Sequence, residues 1–505
     1  MKRVFTLLMV FAAMATGTKV MAQDPYAVYN NGTLTFYCDG NEYTQTGDIY
    51  YVGANSGGNS PGWVKEHSSQ ITKVVFDSSF QNAWPTTMAF WFYNCQKLKT
   101  IVGIENVNTN GVTDMRCVFA GCSQLKSSLD LSGWDTSNVT DMSLMFNLCY
   151  ELPSLNVSGW NTSKVTNMRS LFGACLKLTT LDVTDWDTSK VDSMGLVFSA
   201  CYALESIDVS KWNTIKVCDM EAMFADCHSL KTLDLNNWNT YNVDNMSYMF
   251  MNCNNLTTIY CGDGWTAEHV ASENMFKGCI NLVGGKGTTY DENHVKRSYA
   301  HIDGGPDNPG YLTAYEAYDL WIAGTQVTNV NCHSIPYEGV DFDPDTNTLT
   351  LNNASISIDE PRNFCVSNEI ADLVVVVRGY NTIESIQHSA LFTQYNAHFK
   401  GNGTLHLKGS DTGLYCSQNS YSITVSDGIK LICEGEQGAG FIGAYSDRLN
   451  IWRTTLNIMG ACTIEAKAGS SSSGCITDIK QIESQDGYTI TAPTGAVFNS
   501  SKHAV

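Results

Sequence analysis

Residues 155–180 read LNVSGWNTSKVTNMRSLFGACLKLTT, and residues 181–206 read LDVTDWDTSKVDSMGLVFSACYALES. Laid one over the other, they match Trp160 to Trp186, Val165 to Val191, Met168 to Met194, Phe172 to Phe198, Cys175 to Cys201 and Leu178 to Leu204, a step of 26 residues. The two ends of this unit have different periods. Leu181-Asp182-Val183 alternates apolar, polar, apolar, the pattern of a strand with one buried face. From Val191 the apolar positions fall at Met194, Val197, Phe198, Cys201 and Leu204, with the gaps of three and four expected of a helix. Each unit is therefore predicted to hold a short strand, a Trp-Asn-Thr-Ser turn and a short helix or helical turn. Neither piece can bury its apolar side alone, so the units must stack into a solenoid with one continuous core.

The same step extends outward in both directions. Tryptophan recurs at Trp134, Trp160, Trp186, Trp212 and Trp238, and phenylalanine runs from Phe146 to Phe276. Cysteine recurs from Cys95 to Cys279 in steps of 27, 27 and then 26, with a leucine three places later, from Leu98 to Leu282. At this spacing the Met and aromatic columns read as core and not as a ligand groove. Paired cysteines are the ordinary expectation in an exported protein. One cysteine per repeat, three places before a buried leucine, is better explained as a small apolar residue filling the core. Cys117 and Cys218 lie off that column. The chain has no Cys-x-x-Cys and no His-x-x-x-His, so neither a metal centre nor another cofactor is expected.

These repeats resemble those of BspA-like bacterial surface leucine-rich-repeat proteins, through the Trp-Asn-Thr-Ser-x-Val-x-x-Met turn and the Met-Phe-x-x-Cys-x-x-Leu tail. The flanks are similar too: Gly32 to Phe36 with Ile71 to Phe76 at the start, and Tyr299 to Tyr311 at the end. The resemblance covers about residues 25–313 and implies a secreted or cell-surface location and an interaction role, chiefly adhesion. Departures include Trp91 and Val118 in place of the Met before Phe, and Trp265-Thr266-Ala267-Glu268 in place of the usual turn. Terminal repeats are expected to differ because they cap the core.

Strand alternation points Asp130, Asp182, Asp208 and Asp234 away from the core, with Asn156 interrupting the line. Thr180, Thr184, Ser206, Ser210 and Thr232 surround them. Like charges opposite one another on adjacent strands are unfavourable, so raised pKa values, a cation or a hydrogen-bonding partner is expected to compensate. The candidate ligand face is therefore Asp130, Thr180, Asp182, Thr184, Asp208, Ser210 and Asp234. The alternative is a solvated face that blocks sheet-to-sheet aggregation.

Lys2 and Arg3, the apolar run Val4–Ala15 and the small residues of Val20-Met21-Ala22 read as a secretory signal over residues 1–22, too short in its apolar part for a membrane span. The net charge of −20 and the lack of a basic stripe argue against nucleic acid as a partner. The remaining chain divides into an N-terminal cap with opening strands (23–94), the solenoid with its C-terminal cap (95–313), and an all-β accessory domain (315–505), separated by the Gly/Pro-rich stretch 304–310.

Beyond Tyr315 the 26-residue period disappears. Short strand patterns replace it at Thr348–Leu351, Leu373–Val377, Thr404–Leu407, Ile429–Ile432 and Thr455–Ile458, spaced for a short right-handed parallel β-helix or a β-sandwich. Tyr318–Gly324 and Asp343–Leu351 resemble β-helical modules of secreted gut-type anaerobe proteins, which implies carbohydrate binding. Tyr415, Phe441, Tyr445 and Trp452 are the candidate sugar-contacting aromatics. Asp341–Asp345 lacks the Gly and Glu of a calcium loop and reads as a turn. No nucleophile motif or Walker loop appears. The fold class expected is thus an α/β leucine-rich-repeat-like solenoid followed by an all-β domain. The function expected is non-enzymatic binding of host or matrix proteins; alternatives are polysaccharide binding and, behind it, a β-helix lyase or glycosidase.

Overall fold

The computed structural model describes residues 24–53, 60–359, 364–417 and 422–443 and, with short interruptions, 445–491. The expected export signal, residues 1–22, lies outside the described residues. The chain forms two compact units, Met1–Ala314 and Tyr315–Val505.

The first unit opens on β1 (Tyr26–Asn30), β2 (Thr33–Tyr37) and β3 (Asp48–Tyr51), continuing to β4 (Lys73–Phe76) and β5 (Thr100–Val102). β1 is antiparallel to β2 and β3, whereas β2, β4 and β5 run parallel. A hairpin thus turns into the parallel ladder of a coil. Helix α1 (Gly62–His67) inserts Trp63 against this sheet, and its indole N–H donates to the Trp91 carbonyl at 2.7 Å.

Eight coils follow, tied by one column of parallel bridges through Thr87, Asp114, Asp141, Asn167, Ser193, Asp219, Asn245 and Ala271. The helix expected in each repeat is absent, and α1 is the sole α-helix among the described residues. In its place stand successive tight turns. In one coil the N–H groups of Met145, Asn147 and Cys149 donate three residues back, to Met142, Leu144 and Phe146. The intervening amides of Met142, Leu144, Phe146 and Leu148 donate to Asn167, Arg169, Leu171 and Gly173 of the next coil. An α-helix consumes its interior amides within itself and could not bond laterally in this way. Two residues per coil adopt positive φ to break helical continuation, for example Leu144 at 56° and Leu148 at 62°. Each such non-glycine residue costs on the order of 1 kcal/mol, offset by the cross-coil bonds it permits.

The core is a set of axial columns. Phe146, Phe172, Phe198 and Phe224 stack with ring centroids 5.6–5.8 Å apart. The thiols of the cysteine column donate to the Phe carbonyl of the preceding coil, as Cys175 does to Phe146 at 3.4 Å and Cys253 to Phe224 at 3.0 Å. The column cysteines form no disulfides, and burial pushes the Cys149 and Cys201 thiols up to about 12. The Thr of the Trp-Asn-Thr turn is buried as well; Thr162 and Thr188 donate to carbonyls of the next coil at 3.0 Å. At the far end Asp303 is buried and accepts from the amides of Lys286, Thr288, Gly305 and Gly310 and from the Thr288 hydroxyl.

In the second unit each coil contributes one strand to each of three sheets, and within those sheets the pairing beyond the opening strands is parallel. Leu349, Val375, Phe399 and Val425 lie in register in one sheet, Leu405, Leu431 and Ile464 in another, and Leu391, Leu414, Phe441 and Ile476 in the third. This is a three-sided parallel β-helix and not a sandwich, whose sheets are antiparallel. Asn381, fully buried, holds one corner: it accepts from the Ala354 amide and donates to the Arg378 and Thr404 carbonyls.

Candidate functional site

The acidity of the first unit has a local cause. Asp130, Asn156, Asp182, Asp208 and Asp234 each accept, through Oδ1, the amide two residues on: Ser132, Ser158, Thr184, Ser210 and Asn236. The residue after each Trp does the same, as Asp135, Asn161, Asp187, Asn213 and Asn239 accept from Ser137, Ser163, Ser189, Ile215 and Tyr241. The bridge column adds a third acceptor, as in Asp141 to Ser143 and Asn167 to Arg169. Every corner is thus turned by a short side-chain acceptor. Oδ1 of each predicted ligand aspartate is engaged within the fold, and in Asp234 the Asn236 side-chain amide also reaches Oδ2, at 3.1 Å.

The predicted residues occupy one side of the coils: Asp130, Thr180, Asp182 and Asp208 are exposed, and Thr184, Ser210 and Asp234 are half-buried. That side is not a continuous sheet. Strand β6 (Leu129–Asp130) pairs with β7 (Leu155–Asn156), and β8 (Thr232–Leu235) pairs with β9 (Thr258–Cys261), which in turn pairs with β10 (Thr313–Ala314). Between them, Leu181–Val183 and Ile207–Val209 form no strand. Where the wall is closed at its start, Asn156 Nδ2 donates to Asp130 Oδ1 at 2.9 Å. Where it is open, Asp182, Asp208 and Asp234 follow one another with no amide between them. Like charges directly opposite destabilise strand pairing, which accounts for the open interfaces between Asp182 and Asp208 and between Asp208 and Asp234; the first open interface, between Asn156 and Asp182, has no like-charge pair. Burial raises the Asp234 pKa, and the Asp208 charge raises it further.

The first opening is a cleft of about 340 Å³ lined by Trp160, Asn161, Asp182, Asp185, Trp186 and Asp187, with Val157 to Gly159 and Thr162 beside them. The Trp column shows what is missing there. Trp160, Trp212 and Trp238 donate from Nε1 to the carbonyl 29 residues earlier, at Leu131, Val183 and Val209, at 2.9–3.1 Å. Trp186 would reach Val157 by the same rule, yet its Nε1 is buried without an acceptor. Trp186 itself is 4% exposed and stacks on Trp160 at 5.9 Å. The cleft, lined by both Trp186 and Val157, lies where that bond is missing. Hydrogen bonds from Ser189, with the Lys190 charge, lower the Asp187 pKa. Asp185 lies 3.6 Å from the Lys211 ammonium, an exposed pair. The site offers carboxylate acceptors on its rim and one unpaired N–H inside. No group of three or more His, Cys, Asp or Glu among the described residues is arranged to hold a metal ion.

Sequence reasoning named Asp182 here but missed Asp185, Asp187, Trp160 and Trp186. A signal was present: Asp182, Asp185 and Asp187 put three carboxylates within six residues, where the preceding repeat has Asn156, Gly159 and Asn161.

The second unit does not gather its four candidate aromatics. Phe441 is fully buried, because it is in register with Leu414 on the inward side of its sheet; it is withdrawn as a sugar contact. Tyr415, 37% exposed, points outward and lies 5.9 Å from Phe392, which stacks on Phe364 at 4.6 Å. Rings stacked along the axis cover one another's faces and leave edges outward, whereas a sugar needs a face. The backbones of Tyr445 and Trp452 pair, but their side chains lie outside the described residues.

Residues 86–181 and 174–284 match the model of a family described as Mycoplasma protein of unknown function, DUF285. No curated protein matches the chain. Two solved structures are similar to it. A leucine-rich repeat protein from Bacteroides ovatus is 16% identical, with 53% of this chain and 82% of that one covered and a TM-score of 0.18. A leucine-rich cell surface protein from Faecalibacterium prausnitzii is 17% identical, with 54% and 94% covered and a TM-score of 0.17. No helix among the described residues is long and apolar enough to cross a membrane.

Proposed function

We propose that this chain is a secreted or surface-exposed binding protein that engages a host or matrix partner through the aspartate side of its first unit. The opened wall from Asp182 to Asp234 carries this reading. A solenoid whose other ladders are closed leaves one stretch of its side unpaired, and that stretch combines outward carboxylates with a cleft. Repetition at the coil spacing lets several weak contacts act together on an extended partner. The test is a binding screen of the full chain against matrix proteins and a glycan array, repeated with Asp182→Asn/Asp208→Asn/Asp234→Asn. Loss of the bound partner in the triple variant supports the reading, and unchanged binding removes it. Binding of glycans that survives the triple variant would move the function to the second unit, where Tyr415, outward-facing and 37% exposed, is the residue to replace first.

A further inference from the structure

We infer that the cleft at Trp186 is a receptor for an arginine side chain on an exposed polypeptide segment of the partner. The inference rests on the binding role proposed for this side of the solenoid and names the chemistry of its contact. Asp182, Asp185 and Asp187 line one opening. Asp182 and Asp187 each commit Oδ1 to a backbone amide, from Thr184 at 3.2 Å and Ser189 at 2.9 Å, and keep a second oxygen available. Two carboxylates held rigid by their own turns match a planar cation with several donors better than a flexible ammonium does. Lys211, 3.6 Å from Asp185, shows that this rim already attracts a cation from within the chain.

The second requirement comes from Trp186. Its indole N–H is buried and needs an acceptor, which the fold supplies to Trp160, Trp212 and Trp238 but not here. A simple cation has no acceptor to offer. A polypeptide segment has both halves: a guanidinium for the carboxylates and a backbone carbonyl for the indole. The indole faces cannot serve as a cation–π platform, because Trp186 stacks between Trp160 at 5.9 Å and Trp212 at 6.2 Å. Recognition is therefore through hydrogen bonds, and the net charge of −20 favours the approach of a basic segment.

The test is calorimetric and fluorescence titration of the full chain with the peptide Gly-Arg-Gly and, as control, Gly-Gln-Gly at low ionic strength. Saturable binding of the arginine peptide alone is expected, with a change in tryptophan emission. Asp182→Asn/Asp187→Asn should weaken it about tenfold or more, as expected when hydrogen bonds to charged groups are lost. Asn already stands at the equivalent positions 156 and 161, so this variant keeps the turn acceptors and the fold. Trp186→Phe, which keeps the stack and removes the N–H, should weaken binding severalfold. Equal binding of both peptides, or arginine binding indifferent to Asp182→Asn/Asp187→Asn, overturns the inference. A partner found in the screen and lost in its triple variant, with no arginine-peptide binding, would sink this inference alone and leave the broader reading standing.

Discussion

If carboxylate repulsion holds the wall open on both sides of Asp208, one substitution should close those two interfaces. Asp208 stands between Asp182 and Asp234, and neither interface has a donor such as Asn156 provides to Asp130 at 2.9 Å. Replacing Asp208 with Asn keeps the acceptor for the Ser210 amide and supplies an amide that can reach Asp182. Like-charge pairs opposite one another cost roughly 0.2–1 kcal/mol each, and two are relieved. We expect Asp208→Asn to stabilise the first unit by about 1 kcal/mol at pH 7, raising its midpoint by about 2–4 °C. The charge origin fixes the pH dependence. Burial and the Asp208 charge raise the Asp234 pKa, so this group stabilises most when protonated and loses that contribution as pH rises through its elevated folded value. The gain from Asp208→Asn should therefore fall away by pH 3, where the raised pKa of Asp234 leaves that carboxyl protonated. Thermal unfolding at both pH values measures it, with hydrogen exchange at the Val183 and Val209 amides reporting closure. Asn156→Asp should act in the opposite direction. A gain that persists at pH 3, or no gain at pH 7, refutes repulsion as the cause.

Three further outcomes follow from the geometry. Gly195 lies under an ion pair that skips a whole coil, from Arg169 to Asp219 and, at 2.9 Å, to Glu221; a Cβ there would sit 2.8 Å from Asp219 Oδ2 and against the guanidinium. Gly195→Ala should cost about 1 kcal/mol and add nothing to Arg169→Leu in a double-mutant cycle; additive effects would show that the bridge is not what the glycine protects. Asp303→Ala leaves four amides without their acceptor, those of Gly305 and Gly310 buried, and should cost about 3 kcal/mol, read by denaturant unfolding. Burial alone would raise the Asp303 pKa, but the Thr288, Gly305 and Lys286 hydrogen bonds hold it well below the carboxylate range, so its stabilisation is full above about pH 4 and is lost as pH falls through that lowered value. Alkylation of the native chain should mark Cys218, the one exposed thiol, slowly because burial and the Asp192 charge raise its pKa, while the other seventeen react only after unfolding.

The register was legible in the sequence because it rests on large side chains repeated at one step. The helix was misjudged for a physical reason. Apolar gaps of three and four arise whenever the chain returns to one side every three or four residues, and consecutive tight turns do so as well as a helix does. The discriminating feature is positive φ at Leu144, Leu148, Leu196 and Tyr248, none of which is a residue type that advertises it. Phe441, by contrast, could have been placed from sequence: once Leu391 and Leu414 are read as inward, the coil repeat carries the inward phase to Phe441, and strand alternation turns Tyr415 outward. The outward aspartate column was legible, but its consequence was not. Whether stacked carboxylates hold together or part depends on donors one coil away, and those are known only when the coils are stacked.

The same distinction bears on where function lies. A carboxylate or amide that recurs in every coil is explained by the corner it turns, since Asn and Asp interchange there without altering the bond to the amide two residues on. Recurrence therefore argues for folding, and only departures from it remain to be explained by binding. Asp185 is such a departure: its side chain takes no turn amide, it stands where the preceding repeat has Gly159, and it borders the one Trp among Trp160, Trp186, Trp212 and Trp238 whose N–H lacks its carbonyl. Substituting Asp185 should leave stability within about 0.5 kcal/mol, as for an exposed residue, while weakening partner binding. Substituting Asp130, at a closed interface, should do the reverse.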